Sequence, residues 1–191
     1  LTHRTALQMI EAIQAACARR GVTCLVLKGA QLQERFYRDR FVRTYGDIDL
    51  LVAKAQRTAA LQALAECGYA EEARGLARLW LERAHFHFRL VHRQPAVPPV
   101  ELHWNLVDGA NLYRIRTADA LAAPDGTAAG CPGLADAVNL IYLCIHAAKH
   151  GLLNRSALID GREAAWFVSP ASGNRLIWFI DILLLVAGGG V

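Results

Sequence analysis

Two carboxylates one residue apart in an otherwise apolar run, GDIDLLV at residues 46–52, restrict what this chain can fold into. A strand buried on both faces excludes such charges. Strand side chains alternate, so Asp47 and Asp49 point to one side while Ile48 and Leu50 point to a core. The run predicts a sheet with one packed face and one face given to chemistry. From the strand rise, the two aspartate Cα atoms sit roughly 6.5–7 Å apart, so both side chains can converge on one or two divalent cations. A hard cation such as Mg²⁺, bound by carboxylates together with substrate phosphates, would relieve their mutual repulsion. Glu101, on the open face of a later strand, is the candidate third ligand. The plainer alternative has Asp47 capping the strand after a turn at Gly46 and Asp49 paired with an arginine.

The surrounding pattern is α/β. Leu7, Ile10, Ile13, Ala16 and Cys17 recur at helical spacing over residues 4–19 and predict an amphipathic helix stopping near Gly21. VTCLVLKG (22–29) reads as a strand ending in Lys28 and Gly29, and AQLQERFY as the helix after it. A strand, a glycine turn and a helix in that order suit phosphate binding, because backbone N–H groups at the helix start face the turn. The next strand runs from Tyr45 to Ala53, and a helix follows that ends at Gly68. HFHFRLVH (85–92) and PVELHWNL (99–106) predict two more strands. The second places Glu101 and His103 on one face and Val100, Leu102 and Trp104 on the other. Residues 107–133 read as loop, and two apolar helices follow. The domain boundary is therefore expected near residue 108, with an α/β core over 1–108 and a mainly helical region over 109–191.

Composition narrows the class. The chain has 191 residues, 54% hydrophobic and 20% charged, and is globular rather than disordered. An excess of 21 Lys and Arg over 17 Asp and Glu suits an anionic ligand but is too small and scattered for a dedicated DNA-binding surface. Five cysteines, without a CxxC pair, predict reduced thiols and a cytoplasmic setting. The opening LTHRTALQMIEAIQ has neither signal-peptide character nor an initiator Met, as expected of a processed or excised piece. LIWFIDILLLVA (176–187) is too short to span a bilayer and carries Asp181, which predicts a buried helix and no membrane segment.

KGA (28–30), RTYGDIDLLV (43–52) and VELHWNL (100–106), in that order, resemble the uncharacterised-nucleotidyltransferase family of the polymerase-β-like superfamily. CIHAAKHG (144–151) and RLIWFIDILLL (175–185) are similar to its helical continuation. The resemblance implies a mixed α/β nucleotidyltransferase core and metal-dependent transfer of a nucleoside monophosphate from a nucleoside triphosphate to an acceptor hydroxyl, with release of pyrophosphate. It implies Asp47 and Asp49 as paired ligands of Mg²⁺ or Mn²⁺ and Glu101 as the third carboxylate, acting as ligand or base. It also implies Lys28, Gly29 and Arg43 as nucleotide contacts, with ATP the first choice of donor and the acceptor open. The sequence departs from the superfamily at Ala30, where a serine is usual. That loss favours a competing reading, a non-catalytic binding or regulatory module of the same fold. A toxin-like transferase acting on a macromolecule is a third. A nucleic acid partner has no support in these motifs.

Of the histidines, His103 beside Glu101 is the best functional candidate. His85, His87 and His103 would meet if their strands paired in register, but the spacing of a zinc motif is absent. His146 and His150 lack the glutamate of a HExxH protease motif, since Ala147 stands there, and read as packing or polar contacts. Trp80, Trp104, Trp166 and Trp178 read as core. Asp49→Asn is expected to cost little stability, by relieving repulsion between the carboxylates.

Overall fold

The computed structural model describes residues 3–37, 45–107, 115–125, 132–147 and 175–188. Arg43, His150 and Trp166, all named above, lie outside them. Two compact units divide the chain, residues 1–135 and 136–191, a division later than the break at 108 drawn from the sequence.

In the first unit, helix α1 (His3–Ala18) precedes β1 (Cys24–Leu27), α2 (Gly29–Phe36) and β2 (Ile48–Val52). A 3₁₀ turn (Lys54–Gln56) leads into α3 (Arg57–Glu66), then β3 (Tyr69–Glu71), α4 (Gly75–Ala84), β4 (His87–His92) and β5 (Val100–His103). Helix α5 (Thr117–Ala122) and the short pair β6 (Pro124–Asp125) and β7 (Gly133–Leu134) follow. The second unit holds α6 (Asp136–Ala147) and α7 (Arg175–Gly188), which pack together. In α7 Asp181 and Leu185 are fully buried while Leu183 is 66% exposed, so the helix expected to be buried is buried on one face only.

The five strands form one mixed sheet in the order β1-β2-β5-β4-β3. Only β2 and β5 run parallel; the other neighbouring pairs are antiparallel. Alternation sorts the side chains as the sequence predicts. Cys24, Val26, Ile48, Leu50, Val52, Phe88, Leu90, Val100 and Leu102 share one core with Ile10 and Ile13 of α1 and Ala60, Ala63 and Leu64 of α3. Each large aliphatic chain buried there contributes about 1.5–3 kcal/mol. The opposite face carries Asp49, Glu101, His103 and His87, but Leu25, Leu27 and Leu51 are buried on it too, so β2 is packed on both faces and the expected open face is found only on β4 and β5, at His87 and Glu101. α3 ends where expected: Gly68 takes φ +90°, and a Cβ there would come within 2.7 Å of the His92 ring, so glycine is required twice over.

Three expectations are corrected. Residues 107–133 are not all loop, because α5 and β6 lie within them. Residues 69–84, left without an element, form β3 and α4. Trp80 is no core residue: it is 61% exposed, beside Leu76 at 85%, because α4 packs on the core through Leu81 and otherwise docks through charge. Arg78 pairs with Glu71 at 2.8 Å and Glu82 at 3.3 Å, and Glu82 also pairs with Arg57. The Arg57 guanidinium lies 4.9 Å from the centre of the buried Trp104 ring, within cation–π range.

Candidate active site

Strand pairing assembles the site. The parallel register sets Asp49 of β2 directly beside Glu101 of β5. On the far side of β5, His87 of β4 faces His103. Asp47 lies one residue before β2, half-buried, and Lys28 occupies the turn between β1 and α2. Of the residues expected at a site, Asp47, Asp49, Glu101, Lys28 and Gly29 come from this one end of the sheet.

Asp49 is almost fully buried and doubly partnered. The Lys28 ammonium and the His103 ring donate to the same oxygen, Oδ1, each at 3.0 Å. A carboxylate only accepts, so Nε2 of His103 carries the proton. The same Nε2 lies 3.5 Å from Glu101 Oε2, so one imidazole spans two of the three carboxylates. Burial pushes the Asp49 carboxyl up, but the Lys28 charge and the His103 hydrogen bond outweigh it and hold Asp49 well below the usual carboxylate range. The His103 bond likewise lowers Glu101, against its burial. His103 is raised: burial disfavours its charge, and hydrogen bonds to Asp49 and Glu101 more than compensate. His87 is pushed down to about 4, first by burial and then by the charge on His103.

Asp47 bears the repulsion. Burial, then the charges of Asp49 and Glu101, raise its pKa from 3.8 to about 6. This reverses the expectation that Asp49→Asn would relieve strain, because Asp49 is the compensated carboxylate and Asp47 the uncompensated one. The three carboxylates perturb one another and offer hard oxygens of the kind Mg²⁺ or Mn²⁺ takes, although among the described residues the group with ligand atoms within 4.8 Å of one another is His87, Glu101 and His103.

The turn before α2 is unusual. Lys28 has φ +45°, a conformation that favours glycine. Gly29 is required for another reason: a Cβ there would fall 3.0 Å from the Tyr45 side chain. Tyr45 is fixed by His3, whose Nδ1 lies 2.5 Å from the Tyr45 hydroxyl and whose Nε2 pairs with Glu34. α1, α2 and the entry to β2 are thus tied together behind the turn. Neither His3 nor Glu34 has a signal in the sequence, since their contact spans 31 positions. Ala30 is buried, with no hydroxyl to offer.

The mixed sheet thus carries Asp49 and Glu101 on its parallel pair, with Asp47 just before it, beside a glycine turn that opens a helix. The chain belongs to the family described as uncharacterised nucleotidyltransferase, which it matches over residues 1–189. Two solved structures are similar. One is the solution structure of the antibiotic-resistance factor ANT(2'')-Ia, at 14% identity and TM-score 0.56, covering 96% of this chain and 90% of that one. The other is the crystal structure of ANT(2'')-Ia in complex with adenylyl-2''-tobramycin, at 14% identity and TM-score 0.51, covering 95% and 97%. No curated protein matches the sequence. Among the described residues no helix is long and apolar enough to cross a membrane.

Proposed function

We propose that this chain transfers a nucleoside monophosphate, with ATP as donor, to an acceptor hydroxyl and releases pyrophosphate. The observation that supports this reading is the parallel register that sets Asp49 beside Glu101, with Asp47 one residue before β2. Asp47, Asp49 and Glu101 would hold Mg²⁺ or Mn²⁺, which neutralises charge on the attacking and leaving oxygens in such transfers. His103 keeps Asp49 and Glu101 ionised and oriented. Glu101, held below the ordinary carboxylate range, suits a ligand better than a base. Lys28 and the N–H groups at the start of α2 lie where they suit a triphosphate, with Arg43 as a further phosphate contact. Lys28 supplies there the polar group that Ala30 lacks. The neighbour solved with adenylyl-2''-tobramycin makes small polyhydroxylated amines the first acceptors to try.

The test is thermal unfolding with each common nucleoside triphosphate, with and without Mg²⁺, in wild type, Asp47→Asn and Glu101→Gln. Ligand at a hundred times its dissociation constant adds about 2.7 kcal/mol. A Mg²⁺-dependent shift lost in both variants is expected. Its absence with every nucleotide would overturn the assignment. Binding without pyrophosphate release across a broad acceptor panel would favour the non-catalytic module, for which Ala30 speaks.

A further inference from the structure

The face that holds the three carboxylates also holds a second, chemically different donor set. His87 Nε2 lies 3.9 Å from Glu101 Oε2, and His103 Nε2 lies 3.5 Å from the same oxygen. One ligand atom from each of the three residues falls within 4.8 Å of the others. Their positions follow from two alternations: Glu101 and His103 are two apart on β5, and His87 opposes His103 across the β4–β5 pairing. Around a tetrahedral ion with bonds near 2.1 Å, ligand atoms are roughly 3.4 Å apart. Both measured separations to Glu101 are within about half an ångström of that, a side-chain adjustment rather than a backbone one. His103 is buried while His87 and Glu101 are half-buried, which gives three protein ligands on a wall and an open side for water or substrate.

We infer that His87, Glu101 and His103 bind a borderline transition-metal ion such as Zn²⁺, at a site that shares Glu101 with the Mg²⁺ cluster but is otherwise separate from it. Two imidazoles with one carboxylate select Zn²⁺, Co²⁺ or Ni²⁺ over Mg²⁺, which takes oxygen ligands. On loading, His103 gives up its hydrogen bond to Asp49 and binds through Nε2 as the neutral ring, with its proton on Nδ1, and Lys28 stays on Asp49. Because Glu101 serves both sites, Zn²⁺ would withdraw a ligand from the Mg²⁺ cluster. Only that consequence rests on the transfer reading; the site itself does not.

The test uses the whole chain without nucleotide, so it can fail independently of the transfer reading. Zn²⁺ binding is measured by titration calorimetry in excess Mg²⁺, and the Co²⁺-loaded protein is examined by visible absorption. One equivalent is expected, with d–d bands and no thiolate charge-transfer band. His87→Gln and Glu101→Gln should each weaken binding at least about tenfold, while His85→Gln leaves it within a factor of two. No binding at micromolar Zn²⁺, a thiolate band marking one of the cysteines as ligand, or equal binding in His87→Gln would each overturn the inference.

Discussion

Replacing Asp47 with Asn should make the metal-free protein more stable at neutral pH, although it removes a proposed metal ligand. A rise in the Asp47 pKa from 3.8 to about 6 means that the fold favours the protonated carboxyl. Stability from this group is fully present below the unfolded value and is lost as pH rises through about 6. Above that, ionised Asp47 costs the folded state about 3 kcal/mol at most, and partial exposure reduces this to roughly 1.5 kcal/mol. Asn is isosteric and uncharged, so the variant escapes the loss. For a chain of this size the gain corresponds to a rise in Tm of about 3–6 °C. Thermal unfolding by circular dichroism, in chelator from pH 4 to pH 8, reads it directly. The variant should melt higher at pH 7.5, the gap should close toward pH 4, and excess Mg²⁺ should raise the wild type more than the variant. A variant no more stable than wild type at pH 7.5, or a gap unchanged at pH 4, would refute the claim that Asp47 bears uncompensated repulsion.

The neighbouring carboxylate should respond oppositely. Asp49→Asn removes the carboxylate that Lys28 and His103 share and should cost about 3–5 kcal/mol, seen as a lower denaturation midpoint, with part recovered in the Lys28→Met, Asp49→Asn double variant. Because the Asp49 pKa is depressed, its contribution is present above the ordinary carboxylate range and is lost only as pH falls below that range; a wild type losing stability from this pair near pH 6 would contradict it. Lys28→Gly and Lys28→Ala both remove the ammonium, but only glycine accepts φ +45° without strain, so the glycine variant should be more stable by about 1 kcal/mol in urea unfolding; equal stabilities would remove the strain argument.

Much of this was legible in the sequence because the site rides on alternation. A period of two in GDIDLLV and in VELHWNL assigns every side chain to a face, and the carboxylates could only lie opposite Leu50 and Leu102. What alternation cannot give is the strand order. That β5 inserts between β2 and β4, bringing His103 within 3.0 Å of Asp49, depends on tertiary pairing. The Lys28 to Asp49 contact was hidden for a related reason, because Lys28 read as a ligand for phosphate gives no hint of a carboxylate across the β1–β2 pairing. α4 escaped notice because its polarity is inverted: Leu76 and Trp80 face outward, while Arg78 and Glu82 make its tertiary contacts. Rules that place apolar residues inside find a single anchor, Leu81, in such a helix.

The β2–β5 pairing also sets when the site can exist during folding. His103 and Asp49 are 54 positions apart, and every residue between must be ordered or looped out before their strands meet side by side. The local hairpin β4–β5 forms from nearby contacts, whereas the parallel pair carries the larger loop-closure cost and belongs late on the pathway. On the ribosome, a chain lacking β5 has GDIDLLV as an open strand edge, with its buried aspartate deprived of both His103 and Glu101. The last strand to arrive is thus the one that both closes the sheet and completes the charge balance, so a half-made molecule holds no working remnant of the site.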